Sequence, residues 1–193
     1  MAAGVQRPFL KWAGGKFRVL PHILSALPEG KRLIEPFTGS GAVFLNTQFK
    51  SYVLADINPD LINLFRVLQR EGDKFIDYAS HYFSAEKNTA EAFYQCRDRF
   101  NSINVSAKRT QKEKAALFLY MNRFGYNGLC RYNSKGIFNV PFGQYKKPYY
   151  PAKEMLAFHE KAQAAEFVCA DFREVMGKAK KGDVVYCDPP YVP

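Results

Sequence analysis

The residues best suited to chemistry stand together as Asp188-Pro189-Pro190-Tyr191, directly after Asp183-Val184-Val185-Tyr186-Cys187. Those preceding five residues are rich in β-branched and aromatic side chains and predict a buried strand, which the two prolines then stop. Proline fixes φ and offers no N–H. Asp188, the Pro189 carbonyl and the Tyr191 ring are therefore expected in a stiff loop at the strand's carboxyl end. Such a corner suits a flat, electron-poor amine. The carboxylate and the carbonyl can accept two N–H bonds from an exocyclic amino group while the ring stacks on the base. A Pro-Pro turn with an Asp cap would look the same at this level, and the tetrapeptide alone does not separate the two.

A second group lies upstream. Arg32-Leu33-Ile34-Glu35 predicts a short strand, Pro36 to Gly41 a tight turn, and Ala42-Val43-Phe44-Leu45 an apolar helix start. Gly39 and Gly41 let the backbone approach a ligand and aim helix N–H groups at it. A dinucleotide fingerprint would need a third glycine, and Phe44 stands in its place. Tyr52-Val53-Leu54-Ala55-Asp56 predicts a second strand ending in a carboxylate, which is placed to accept both hydroxyls of a ribose. Strand, glycine turn, helix, strand and acid together fit a nucleoside cofactor without a pyrophosphate, S-adenosylmethionine better than NAD. The earlier stretch Lys11-Trp12-Ala13-Gly14-Gly15-Lys16 is no P-loop, because Phe17 follows the lysine. By spacing alone it leads into an amphipathic helix carrying Val19, Leu20, Ile23 and Leu24.

The elements that must hold these groups alternate, break off and resume. Asp60 to Arg70 has Leu61, Leu64, Phe65 and Leu68 on one helical face. Further helices are expected at 74–83, at 89–100 behind a cap at Asn88 or Thr89, and at 114–124. Four helices with no strand between them read as an insertion in an α/β pattern. Residues 122–150 follow, with Gly125, Gly128, Gly136 and Gly143 among aromatics, asparagines and Arg131. They suggest glycine-turned loops or a hairpin, fit either for a nucleic-acid groove or for packing on their own helices. A helix at 152–165, a strand at 166–170, Asp171-Phe172 and a short helix then lead back to the first strand described. His159 has no second ligand nearby and reads as structural.

The 193 residues can bury a real core, and 47% hydrophobic content argues against disorder. No apolar run is long enough for a membrane span, and the first residues lack a signal peptide's apolar stretch. A soluble, cytoplasmic protein is expected. Cys96, Cys130, Cys169 and Cys187 are scattered without C-x-x-C pairs or nearby histidines, so neither disulfides nor a metal site is expected. The net charge of +10 points to a polyanionic partner or an acidic membrane surface. Its distribution sharpens the point: nine Lys/Arg lie between Val105 and Tyr150 against the single Glu113.

Six stretches in order resemble the DNA adenine-N6 methyltransferases of the Dam type, which act on GATC. They are Lys11 to Lys16, Glu35 to Gly41, Ala55 to Asn58, Asn122 to Asn133, Phe138 to Gly143, and Asp188 to Tyr191. The resemblance implies a Rossmann-like α/β sheet for S-adenosylmethionine, formed by residues 1–58 and 152–193. An inserted, mainly helical DNA-recognition domain would occupy 59–151, with its reading hairpin near 122–150. It implies cofactor roles for Trp12, Lys16, Phe37, Gly39, Gly41, Asp56, Asp171, Phe172 and Asp188, with S-adenosylhomocysteine as product. Asp188, Pro189 and Tyr191 would be catalytic, and no metal would be needed. Tyr126 and Asn127 would act at the gap left by a flipped base, while Leu129, Arg131 and Pro141 read flanking pairs. Lys11 would touch the target site, and Arg123 and Lys146 phosphates. Double-stranded DNA is the implied partner of a monomer. Two features depart from the family. Gln144 stands where a basic residue is expected, and family members continue past the Pro-Pro-Tyr with further strands, so the chain looks like a fragment with about four strands readable.

The nearest rivals share the chemistry with another target: a different DNA word, RNA, or a glutamine amide of a protein. A non-catalytic DNA-binding module is the rival from another class. An NAD-dependent oxidoreductase is disfavoured by Phe44 and the Pro-Pro-Tyr loop.

Overall fold

The computed structural model describes residues 5–105 and 107–190. Strands β1 (Arg32–Glu35), β2 (Ser51–Asp56), β3 (Ala165–Cys169) and β4 (Asp183–Val185) form one parallel sheet in the order β3-β2-β1-β4. The order reverses at β1, so the first turn of the chain's α/β pattern opens at a switch point of the sheet. In such sheets ligands sit outside the carboxyl ends of the strands.

Eight α-helices accompany the strands among the described residues: α1 (Leu20–Ala26), α2 (Ala42–Leu45), α3 (Pro59–Glu71), α4 (Asp73–Ser80), α5 (Ala90–Ser102), α6 (Lys108–Phe124), α7 (Ala152–Ala162) and α8 (Phe172–Met176). Alternation along β1 and β2 divides the core between the two faces of the sheet. Leu33 and Leu54 join the main apolar cluster with Leu61, Leu64, Phe65 and Phe158, whereas Ile34 and Ala55 meet Val175 of α8 on the opposite face. Helices α3 to α7 fall between β2 and β3, and α3 packs on both the sheet and α6.

Helix α3 starts where its sequence says it should. The Asn58 side chain accepts from the Asp60 and Leu61 N–H groups, Pro59 takes the first turn, and Gly72 ends the helix at φ +49°. The buried face then follows the apolar spacing, with Leu61, Leu64, Phe65 and Leu68 inaccessible. Arg66 donates twice to the Phe167 carbonyl, and Gln69 donates to those of Ala162 and Ala165, tying α3 across β3. His159 sits inside this joint, its Nδ1 2.9 Å from the Leu68 carbonyl oxygen. Of the two candidate caps of α5, Thr89 accepts from Ala92 N–H, while Asn88 reaches instead to the carbonyls of Tyr145 and Lys146.

Three expectations change, one of them the helix at 152–165, which ends at Ala162 with β3 starting at Ala165. The five-residue strand 183–187 is three residues long, and Val184 alone of it is buried. Among the described residues β4 pairs only with β1, so one edge is open and Val185 stays 37% exposed. The helix expected at 114–124 begins six residues earlier, at Lys108, where Thr110 Oγ1 accepts from the Ala107 N–H. The 122–150 segment, expected as glycine-turned loops or a hairpin, takes that form without a regular strand. Two isolated antiparallel bridges, Gly125 with Phe142 and Tyr132 with Phe138, hold it as an open hairpin. Its tip is a turn in which Asn133 Oδ1 accepts from the N–H groups of Lys135 and Ile137.

Among the described residues no helix is long and apolar enough to cross a membrane, and no group of His, Cys, Asp and Glu could hold a metal ion.

Candidate active site

One cleft of about 640 Å³ opens at the carboxyl ends of β1, β2 and β4. Each wall comes from a different part of the chain. The loop before α1 supplies Trp12 to Lys16, the β1–α2 turn Glu35 to Ser40, the end of β2 Asp56 and Ile57, and the end of β3 Ala170 to Phe172. Beyond β4, the loop adds Asp188 to Pro190. A parallel sheet delivers these segments to the same end because every crossover returns the chain to the same starting edge.

Asp56 closes β2 with its carboxylate pinned. Oδ1 accepts from Asn58 N–H at 3.0 Å and Oδ2 from Gly39 N–H at 3.2 Å. Burial raises its pKa, and these backbone bonds offset part of the effect. Gly39 takes φ +48°, and a Cβ there would lie 2.8 Å from the Trp12 indole nitrogen. Only glycine lets the β1–α2 turn and the Trp12 ring approach so closely. The Phe37 and Phe172 rings meet at 5.3 Å, tilted by 33°, as an apolar corner. Asp171 caps α8 by accepting from Arg173 N–H.

Across the cleft, Lys16 Nζ lies 2.8 Å from Asp188 Oδ2, both side chains about one-fifth exposed. Lys16 also donates to the Gly14 carbonyl. Thus the lysine that spacing assigned to a plain loop holds the carboxylate of the Pro-Pro corner. Glu35, which sequence reasoning treated only as the end of a strand, is 2% exposed beneath the cleft, with Oε1 lacking a partner. Burial, reinforced by nearby Asp188, pushes its pKa up to about 8 despite a hydrogen bond from the Phe44 backbone. Thr38 Oγ1 is a second buried polar atom there without a partner. The available signal for Glu35 was a charged residue directly after the apolar pair Leu33-Ile34 at the carboxyl end of a strand.

The fold therefore brings Trp12, Lys16, Phe37, Gly39, Asp56, Asp171, Phe172, Asp188 and Pro189 into one cavity. Gly41 is not among the lining residues. Its φ of +73° instead sets the N-terminus of α2. Tyr191 lies outside the described residues.

The residues expected at nucleic acid lie on the open hairpin. Tyr126, Asn127, Arg131, Pro141 and Lys146 are exposed and Leu129 is half-buried. Asn127 adopts φ +53°, and its N–H donates to the Tyr145 hydroxyl. Arg131 is pre-aligned across the hairpin by Asn139, through Nε to the side chain at 2.8 Å and one amino group to the backbone carbonyl at 3.2 Å. Gln144, at the departure from the family pattern, is exposed and also has positive φ. Lys11 is partly buried, with Nζ 4.0 Å from the Tyr145 ring centre. Desolvation, then the Arg123 charge, lowers its pKa. Arg123 is half-buried. Its guanidinium turns into the fold, donating to the Tyr149 and Phe9 carbonyls, and burial lowers its pKa.

A parallel α/β sheet thus carries a carboxylate-lined cleft at its switch point, and the chain sets an exposed hairpin bearing lysine and arginine between the strands of that sheet. Residues 12–193 match the D12 class N6 adenine-specific DNA methyltransferase family, and the chain belongs to it. It is 52% identical over 188 residues to the DNA adenine methylase of Vibrio cholerae, covering 97% of this chain and 66% of that one. The same identity holds over 187 residues with the DNA adenine methylases of Escherichia coli K12 and Salmonella typhimurium, again with 97% and 66% covered. The chain thus spans just under two thirds of the length of these relatives.

Proposed function

We propose that the chain carries the cofactor cleft and target-reading surface of an S-adenosylmethionine-dependent DNA adenine-N6 methyltransferase that acts on an extruded adenine in GATC. The observation that carries this reading is the cleft itself, in which the Lys16–Asp188 pair shares one cavity with Asp56 and Trp12. Its volume falls in the usual range for small-ligand sites, about 300–1,000 Å³. Its donors and acceptors suit an amino-acid nucleoside: a pinned carboxylate for ribose hydroxyls, aromatic rings for a base, and two buried oxygens without partners.

When bound, S-adenosylmethionine supplies an electrophilic methyl group on a sulfonium. Trp12, Lys16, Phe37, Gly39, Asp56, Asp171 and Phe172 would hold it. Asp188 Oδ and the Pro189 carbonyl accept the two N6 protons of the target adenine. That favours a pyramidal nitrogen and turns its lone pair toward the methyl. Adenine N6 is a poor nucleophile because its lone pair is delocalised, so this alignment is the main contribution of the corner. Asp188 need not be a strong base, since the proton is acidic once nitrogen carries the methyl group. Lys16, 2.8 Å away, holds the Asp188 carboxylate in orientation. In this reading Tyr191 stacks on the extruded base, whose unstacking costs a few kcal/mol. Residues 59–151 act as the recognition part on a sheet built by 1–58 and 152–193. Arg131 reads a guanine, Tyr126 and Asn127 fill the gap left by the base, Leu129 and Pro141 pack on flanking pairs, Lys11 touches the target site and Lys146 a phosphate.

Cofactor titration followed by the fluorescence of Trp12, the one tryptophan of the chain, tests the cleft. Transfer of labelled methyl to GATC and scrambled duplexes tests the target. Asp188→Ala should lower transfer at least a hundredfold with duplex affinity within about twofold of the unaltered chain. Normal turnover by that variant, or equal labelling of scrambled DNA, defeats the corresponding part of the reading.

A further inference from the structure

Asn122 lies near the end of α6, 3% exposed, and carries no role in the chemistry described above. All its side-chain hydrogen bonds leave the helix. Oδ1 accepts from Lys11 N–H at 2.9 Å, while Nδ2 donates to the Lys11 carbonyl at 2.7 Å and the Gly128 carbonyl at 3.2 Å. One amide thus clamps both backbone groups of Lys11 and ties them to the loop bearing Tyr126, Asn127 and Leu129.

Contacts on either side extend that clamp. A Cβ on Gly128 would sit 2.3 Å from Lys11 Cβ, so the recognition loop presses directly on residue 11. The next residue, Trp12, presses on Gly39, whose N–H binds Asp56 in the cleft. The series Gly128–Lys11–Trp12–Gly39 has no slack, because glycine at both ends is what permits contact at all. A buried amide with satisfied donors and acceptor has one low-energy orientation, and loss of it leaves carbonyls unpaired.

We propose that Asn122 is a positioning residue that couples the target-reading loop to the cofactor cleft through Lys11 and Trp12. The inference rests on the functional reading above. Movement of the 126–129 loop on a duplex shifts Lys11, and Trp12 moves with it against the cofactor turn. Coupling between two sites is reciprocal, so duplex and cofactor must alter each other's affinity by the same factor.

The test uses the full chain, S-adenosylhomocysteine and a GATC duplex, with Trp12 fluorescence reporting the cleft. In the unaltered chain the duplex should change cofactor Kd about fivefold or more. Asn122→Asp keeps the size and the acceptor but loses both donors and sets a carboxylate against two carbonyls. It should bring the coupling factor within twofold of one while each ligand still binds. Asn122→Ser, smaller and neutral, serves as the second variant and should do the same. A merely structural role would lower the melting temperature and leave the coupling factor of folded molecules intact. An unaltered chain that binds both ligands without coupling, or folded variants that retain it, overturns the inference alone. Failure of the unaltered chain to bind either ligand overturns the functional reading and the inference with it.

Discussion

Replacing Glu35 by glutamine should stabilise the fold at high pH and destabilise it at low pH. Glu35 closes β1 with one carboxyl oxygen unpartnered, and burial first, then Asp188, raises its pKa from 4.5 to about 8. Below pH 4.5 the group is protonated in folded and unfolded chains alike, and its ionisation affects neither. Between the two values the unfolded chain ionises while the folded one holds its proton, so unfolding releases a proton and stability falls as pH rises. Above pH 8 the loss is complete. At about 1.4 kcal/mol per pH unit the gap amounts to at most ~5 kcal/mol. The glutamine amide never ionises, but it places an N–H group where no acceptor stands, costing ~1–3 kcal/mol. The ionisation term wins at pH 8, leaving the variant more stable by roughly 2–4 kcal/mol, and disappears at pH 4.5, leaving it less stable by roughly 1–3 kcal/mol. Urea unfolding of both chains at the two pH values measures the difference directly. A difference of the same sign and size at both would refute the assignment of a buried, proton-holding carboxyl.

Two substitutions probe the cleft and the hairpin separately. Gly39→Ala forces a Cβ to within 2.8 Å of the Trp12 indole at φ +48°. The left-handed backbone alone costs ~1–2 kcal/mol, and with the indole displaced cofactor affinity should fall about tenfold and Trp12 emission should shift. An unshifted emission spectrum would remove Trp12 from the cleft wall. Arg131→Ala should relax discrimination at one guanine position by ~1–3 kcal/mol, read by competition among duplexes differing at single pairs. Uniform weakening across all duplexes would make Arg131 a phosphate contact instead.

What could be read in advance was whatever depended on near neighbours in sequence. The apolar face of α3 recurs within a few residues, and its periodicity places that helix to within one residue at each end. The glycine turn and the acid ending β2 were legible for the same reason, since a left-handed φ and a strand-terminal carboxylate leave local signatures. The start of α6 was not. Lys108 to Lys114 is wholly polar, so it lacks the apolar spacing that marks a helix, although the backbone continues through it. Nor was the exposure of Val185, because an apolar, β-branched run cannot say how many neighbours its strand has.

The site divides along the same line. Asp188, Asp56 and Trp12 could be named singly, but their meeting in one cavity is a property of the parallel sheet order, which spacing does not encode. Arg123 and Asn122 show the limit most clearly. They are adjacent in a basic, asparagine-bearing stretch whose composition favours a nucleic-acid surface. Yet Arg123 binds carbonyls at residues 9 and 149, and Asn122 binds residue 11. Partners 111 and 114 positions away turn both inward. Their neighbours Tyr126 and Arg131, past the break at Gly125, remain outside. The polarity of the stretch therefore serves two ends: its first residues tie the hairpin to the N-terminal loop, and its later ones face outward. A substitution at Asn122 should for that reason disturb both sites at once, whereas one at Arg131 disturbs only the outer one.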